Sequence, residues 1–184
     1  MKLLCLALLL LPCLASADDS PQPFGRAHVG AAMLVPDSDD MNAGGALLLD
    51  GEGGLRFQRF DLTAWGSYLT KHVDGEVPDD IFDPEFAHYR MHLIDVGVRA
   101  SVHGDHVYGG LGIGEEFQIE RGTSHFTTPT SHDKPSHYYE THAVLELRGG
   151  YTLSNHIDLF GALGYTKNNF ETMLSGRIGV GFRF

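Results

Sequence analysis

Cysteine is almost missing from this chain. Of 184 residues only Cys5 and Cys13 carry a thiol, and both fall in a leucine-rich leader with the features of a removable export signal. An exported part without thiols has no disulfide framework and no thiolate metal site. Long apolar runs are missing as well. Leu3 to Leu14 is mostly leucine, the length of a secretion signal's apolar stretch and well short of the roughly 20 residues that a membrane-spanning helix needs. Positive charge is scarce: 13 Lys and Arg stand against 24 Asp and Glu, for a formal charge of −11. So acidic a chain is a poor partner for nucleic acid, whose phosphates select basic surfaces. There is no internal repeat, no linker composition and no nucleophile elbow of the serine-hydrolase kind.

The leader has three parts. Met1-Lys2 is the positive region, Leu3–Leu14 the apolar one, and Ala15-Ser16-Ala17 a small-x-small cleavage site. The residues ahead of Cys13, Leu10-Leu11-Pro12, are poor for lipid attachment. Residues 1–17 are therefore expected to be a signal peptide and 18–184 one domain, more acidic by the loss of Lys2.

The other end is the most specific part of the sequence. From Gly176 to Phe184 the residues alternate: Ile178, Val180, Phe182 and Phe184 share one face, and Arg177, Gly179, Gly181 and Arg183 the other. A strand turns successive side chains to opposite sides, so one face is apolar and one small or charged. A terminal aromatic suits a strand that closes a barrel in lipid, where aromatic rings anchor at the interface. Here the sequence resembles the bacterial outer-membrane β-barrel proteins of the OmpX-like and general "outer membrane protein β-barrel" families, whose last strand closes on Phe. The resemblance implies an outer-membrane location, and that Ile178, Val180, Phe182 and Phe184 form an insertion signal read by the barrel-insertion machinery. It also implies a role in envelope integrity or surface interaction without a defined reaction.

The rest of the chain reads independently as seven further alternating segments, at roughly 24–34, 43–50, 55–70, 88–102, 106–120, 138–151 and 156–167. In the fourth, Ile94, Val96, Val98, Ala100 and Val102 oppose Asp95, Gly97, Arg99 and Ser101. In the second, Leu47-Leu48-Leu49 leaves the facing ambiguous. Segments of about ten residues with a period of two are the signature of a membrane barrel. The connections support it. Gly51–Gly54, His103–Asp105 and Leu153–Asn155 are tight, whereas 35–42, 71–87 and 121–137 are long and acidic or rich in His. The seventh, 168–171, is short for an outer loop. The expected fold is all-β: an eight-stranded antiparallel up-and-down transmembrane barrel.

Parity alone does not say which face is the interior, and a soluble periplasmic lipocalin-like ligand-binding barrel would place the apolar face inside. Three features favour lipid on the apolar side. Glycines recur on the polar face, where packing needs room. Both signs of charge recur there. Tyr68, Tyr139, Tyr151 and Tyr165 lie on the apolar face near strand ends, as girdle aromatics do. The lumen should then hold a network of Arg26, Arg59, Arg99, Arg148, Arg177 and Arg183 with Asp61, Asp95, Glu116, Glu146 and Asp158, since buried charges must be paired or wetted. Eight strands leave only room for side chains, so the interior is expected to be a polar plug. Trp65 falls in parity with that face, and a bulge would re-aim it.

His is frequent, with eleven residues. His125, His132 and His137 share a connection with Asp133 and are the candidate loop ligands for zinc or copper. Their spacing matches no fixed motif, and a solvated, pH-responsive loop explains them as well. No cofactor is implied. An outer-membrane lipid A-modifying enzyme is the main rival. His142-Ala143-Val144 lacks the Ser of the deacylase His-x-Ser pair, and Ser154-Asn155-His156 has the order reversed. Ser67 has no base near it in sequence. The expected partners are outer-membrane lipid and lipopolysaccharide, with the loops carrying any surface partner.

Overall fold

The computed structural model describes residues 20–36, 44–75, 86–125, 134–154, 156–167 and 172–184; at 36, 73–75, 86–89, 120, 122–125 and 134–138 it describes the backbone only. The proposed signal peptide, His132 and Asp133 lie outside these residues. Eight strands form: β1 Gln22–Pro36, β2 Gly44–Phe57, β3 Phe60–Gly75, β4 Phe86–His103, β5 Val107–His125, β6 Lys134–Thr152, β7 Ile157–Lys167 and β8 Thr172–Arg183. Each pairs antiparallel with its sequence neighbour, and β1 pairs with β8, closing the barrel. The seam runs from Arg26↔Arg183 to Pro36↔Met173. It is finished by two further hydrogen bonds, from Gly25 N–H to Phe184 O and from Phe184 N–H to Gly25 O, both 3.0 Å. Closure satisfies the backbone groups that an open edge would leave bare in lipid. Among the described residues no helix is long and apolar enough to cross a membrane, which says nothing against crossing by strands.

The period-two pattern decides the faces. Val96, Leu145 and Val180 are 45%, 52% and 44% exposed on the outside, while Arg99 and Arg148 are each 1% exposed within. This arrangement excludes the lipocalin reading, which needs the reverse. The ambiguous Leu47-Leu48-Leu49 resolves by strict alternation: Leu47 and Leu49 face out and Leu48 is fully buried in the lumen. Burial of apolar side chains against water is thus relocated to the outer wall, where acyl chains cover it.

Several boundaries differ from the sequence expectation. Gly51–Gly54 is not a turn; it continues β2, and the reversal comes at Gln58-Arg59, between Phe57 and Phe60. Glycine there serves close strand approach: a Cβ on Gly54 would run into the carbonyl oxygen of Leu62 on β3. Arg59 consequently sits exposed on that turn and not in the lumen. The β5–β6 hairpin is longer than the alternation suggested. β5 runs to His125 and β6 starts at Lys134, so His125 and His137 belong to strands, opposite Phe86 and Arg121. A strand of about 9–11 residues spans a bilayer; β4, β5 and β6 are 18 to 19 residues long and extend past it. Trp65 needs no bulge, because the β3–β4 register is continuous through Trp65↔Gly97.

Candidate functional site

The lumen is where this chain concentrates its chemistry, and alternation puts it there. On β1, Arg26 and His28 point inward; on β2, Asp50 and Glu52; on β3, Asp61, Thr63, Trp65 and Ser67; on β4, Asp95, Arg99 and Ser101. The remaining strands add Glu116, His142, Glu146, Arg148, Asp158, Thr166, Ser175 and Arg177.

These groups meet in layers. Near the short turns, Arg56 makes a two-pronged contact with Asp61, Nε to Oδ1 at 2.8 Å and Nη2 to Oδ2 at 2.7 Å. Arg26 donates to Glu52 at 2.6 Å and lies 3.5 Å from Asp61 and 3.6 Å from Asp158. Above it, Arg148 grips Asp50 through both terminal nitrogens, at 3.0 and 2.7 Å. Asp50 also faces His28 Nδ1 at 2.7 Å. Arg99 bridges the lumen, donating to Glu52 on one side and to Glu146 at 2.5 Å on the other. Higher still, Arg177 pairs with Asp95 at 2.7 Å and donates to Ser67 Oγ at 3.1 Å. Thr166 donates to Glu116 at 3.4 Å. Arg183 closes the bottom by a 2.9 Å bond to Thr152.

The structure therefore places Arg26, Asp61, Asp95, Arg99, Glu116, Glu146, Arg148, Asp158 and Arg177 inside, and leaves Arg183 half-buried at the rim. It adds members that the sequence did not flag. Glu52 was hidden by reading Gly51–Gly54 as a turn, and Asp50, the last residue of the second segment, by the ambiguous facing of Leu47-Leu48-Leu49; once β2 is continuous and alternates, both face inward. His28 stood on the charged face of its segment with no partner in view, and Arg56, read as part of the third segment, fell in parity with Phe60 and Leu62; its place in β2 turns it toward Asp61.

Aromatic rings share the interior. Trp65 packs under Arg99, whose Cζ is 5.2 Å from the ring, and Phe160 lies 4.0 Å from Arg148 Cζ. Arg26 sits 4.4 Å over the Tyr108 ring. These planar cations gain from ring faces where both are buried. Glycines supply the room: a Cβ on Gly97 would come within 2.9 Å of Trp65 Nε1, and one on Gly179 within 2.5 Å of Phe160. The interior is not polar throughout. Toward the long connections, Ala32, Leu34, Ala46, Leu48, Leu69, Met91, Leu93 and Met173 are buried together.

The serines and the histidine weighed against a catalytic pattern each have a partner close by. Ser67 Oγ donates to Asp95 at 2.7 Å. Ser154 Oγ accepts from the backbone N–H of His156 and Ile157, at 3.4 and 3.2 Å, and so shapes a turn. His142 Nε2 faces Glu140 at 3.5 Å. Among the described residues, no three His, Cys, Asp or Glu side chains converge as metal ligands do; the side chains of His125 and His137 lie outside that description.

No protein-family model and no curated protein matches this chain. Solved structures do. Ail of Yersinia pestis, in complex with the heparin analogue sucrose octasulfate, superposes with a TM-score of 0.62 at 8% identity, over 89% of this chain and 99% of Ail. OprG of Pseudomonas aeruginosa gives 0.64 at 12% identity, over 92% and 99%. A major outer-membrane protein of Thermus thermophilus gives 0.54 at 15%, over 87% and 99%. At such identities the likeness is one of fold: the chain is built as a small bacterial outer-membrane barrel.

Proposed function

We propose that this outer-membrane barrel is plugged, catalyses no reaction, and serves envelope integrity or surface contact through the hairpins that rise above the outer leaflet. The observation that carries the reading is the filling of the lumen. Arg99 and Arg148 are among the largest fully buried side chains, alongside Leu34, Leu48, Leu69 and Glu116, and eight strands enclose no more than such side chains occupy. Each long cation directs its donors to carboxylates of neighbouring or opposite strands, which pins the wall from within.

The leader at 1–17 would direct export and be removed, and the apolar face of β8, Ile178, Val180, Phe182 and Phe184, would be the part read during assembly. Lipid and lipopolysaccharide would surround the belt. The long hairpins, and not the lumen, would meet any surface partner. The lipid A-modifying reading loses support because Ser67 is committed to Asp95 and Ser154 to a turn.

The test is direct. Purified refolded protein in a planar bilayer should give no conductance steps, and its unheated gel band should shift on boiling. Regular channel steps would overturn the plug. Release of the protein by osmotic shock would overturn the membrane assignment. A changed acyl pattern of lipid A in expressing cells would overturn the absence of a reaction.

A further inference from the structure

We propose that the outward side of the hairpins holds a binding site for lipid-linked phosphate, formed by Arg90 and Arg121 with His72 beside them. It rests on the surface-contact reading above and names the partner.

The strands place these residues in one row. His72 on β3 pairs in register with Arg90 on β4, and Arg90 with Arg121 on β5. All three are exposed, and each lies an even number of residues from outward positions on its strand, so all point away from the lumen. The register continues to His137 on β6.

Two guanidiniums are thus direct cross-strand neighbours, about 5 Å apart at Cβ. Like charges in that position destabilise a sheet. The inward arginines solve the problem with carboxylates: Arg26, Arg99, Arg148 and Arg177 all have them. Among the described residues, Arg90 and Arg121 have none. The exposed acid of β5, Glu115, stands six residues down the strand, roughly 20 Å away. Set side by side on the outward face, the two guanidiniums together offer more donors to a doubly charged anion than either could alone, and such an anion would relieve their repulsion.

The position of the row says which anion. Four residues down each strand lie Tyr68, Ile94 and Phe117, in register with one another. The Tyr68 hydroxyl meets His92 Nδ1 at 2.6 Å, and Phe117 stacks on Tyr139 at 6.4 Å. This is an aromatic girdle crowning the apolar wall. Four residues of strand are about 13 Å, less once tilted. The basic row therefore sits where acyl chains give way to headgroups. A guanidinium fork matches a phosphate's oxygens two at a time, and an anion fixed at this height is a phosphate ester of the outer-leaflet glycolipid.

The experiment uses the full chain refolded in detergent and offered bisphosphorylated lipid A, its dephosphorylated form, or inorganic phosphate, with bound lipid counted by mass spectrometry. The native chain should retain the bisphosphorylated form about tenfold over the dephosphorylated one, the tenfold corresponding to about 1.4 kcal/mol. Arg90→Gln with Arg121→Gln should abolish that preference, and it should fold at least as well because the repulsion is removed. Arg59→Gln, at the opposite end, should behave as the native chain. Equal retention of both lipids, or a double variant that keeps the preference, overturns the site. So does inorganic phosphate displacing bound lipid A at stoichiometric concentration, since that outcome removes the lipid from recognition. Each outcome is read on protein whose boiled and unboiled bands differ, so failure of the site is separate from failure of the barrel.

Discussion

At the scale of single residues, the interior is governed by size as much as by charge. Trp65 is the chain's one tryptophan and is 4% exposed, inside the wall. It fits because Gly97 and Gly112 on the facing strands leave its indole room; a Cβ on Gly97 would also press within 2.5 Å of the Ile113 carbonyl oxygen. Brominated acyl chains, which quench on contact, should therefore leave Trp65 emission unchanged in liposomes, and strong quenching would place the ring outside. Gly97→Val overfills the site, an error that costs about 1–3 kcal/mol in a packed core. The denaturant midpoint of the refolded barrel should fall accordingly, with the emission shifting red as water reaches the indole. An unchanged midpoint would mean that the wall yields there freely.

At the scale of the element, β8 and β1 decide whether the sheet becomes a barrel. The seam ends on the paired bonds between Gly25 and Phe184, and the Phe184 ring lies over Gly25, where an added Cβ would approach it to 2.5 Å. Gly25→Val should therefore displace the ring and lower the fraction of heat-shifted, folded protein. Adding Phe184→Ala removes the obstruction, so the double variant should lose less than the two single losses combined. Simple additivity would show that ring and glycine act apart. Elements were also where the sequence was most legible, and where it misled. Alternation is a local property, so Ile94–Val102 and Gly176–Phe184 announced their faces without help. Strand length is not local. The run Gly51–Gly54 has the composition of a turn, and only pairing with both β1 and β3 holds it extended. With the turn misplaced, Glu52 was left out of the network and Arg59 was put into it, while Asp50 was left out because Leu47-Leu48-Leu49 hid the parity of its segment. His125 and His137 looked like loop residues because nothing in their own composition tells a hairpin that overshoots the membrane from a connection.

At the scale of the whole molecule, the proposed plug raises the question of which stratum of the lumen would keep water and ions out. The ion-paired layers are rich in groups that water would gladly solvate, and Arg26 Nη2, Asp95 Oδ1 and Glu146 Oε2 are buried without a hydrogen-bond partner among the described residues. Such groups draw water in when a path exists, because unsatisfied burial costs on the order of 1–3 kcal/mol apiece. The stratum of Leu34, Leu48, Leu69, Met91 and Leu93 offers water nothing, and it lies on the side of the long connections. If that stratum is the barrier, Leu48→Ser with Leu69→Ser should produce ion leakage from dye-loaded liposomes although every salt bridge remains. Arg99→Met should instead destabilise the fold, by about 3–5 kcal/mol through the stranded carboxylates of Glu52 and Glu146, without raising leakage from the protein that stays folded. The opposite result, a tight double-serine variant and a leaking Arg99→Met, would assign the barrier to the charges and make the leucines packing alone.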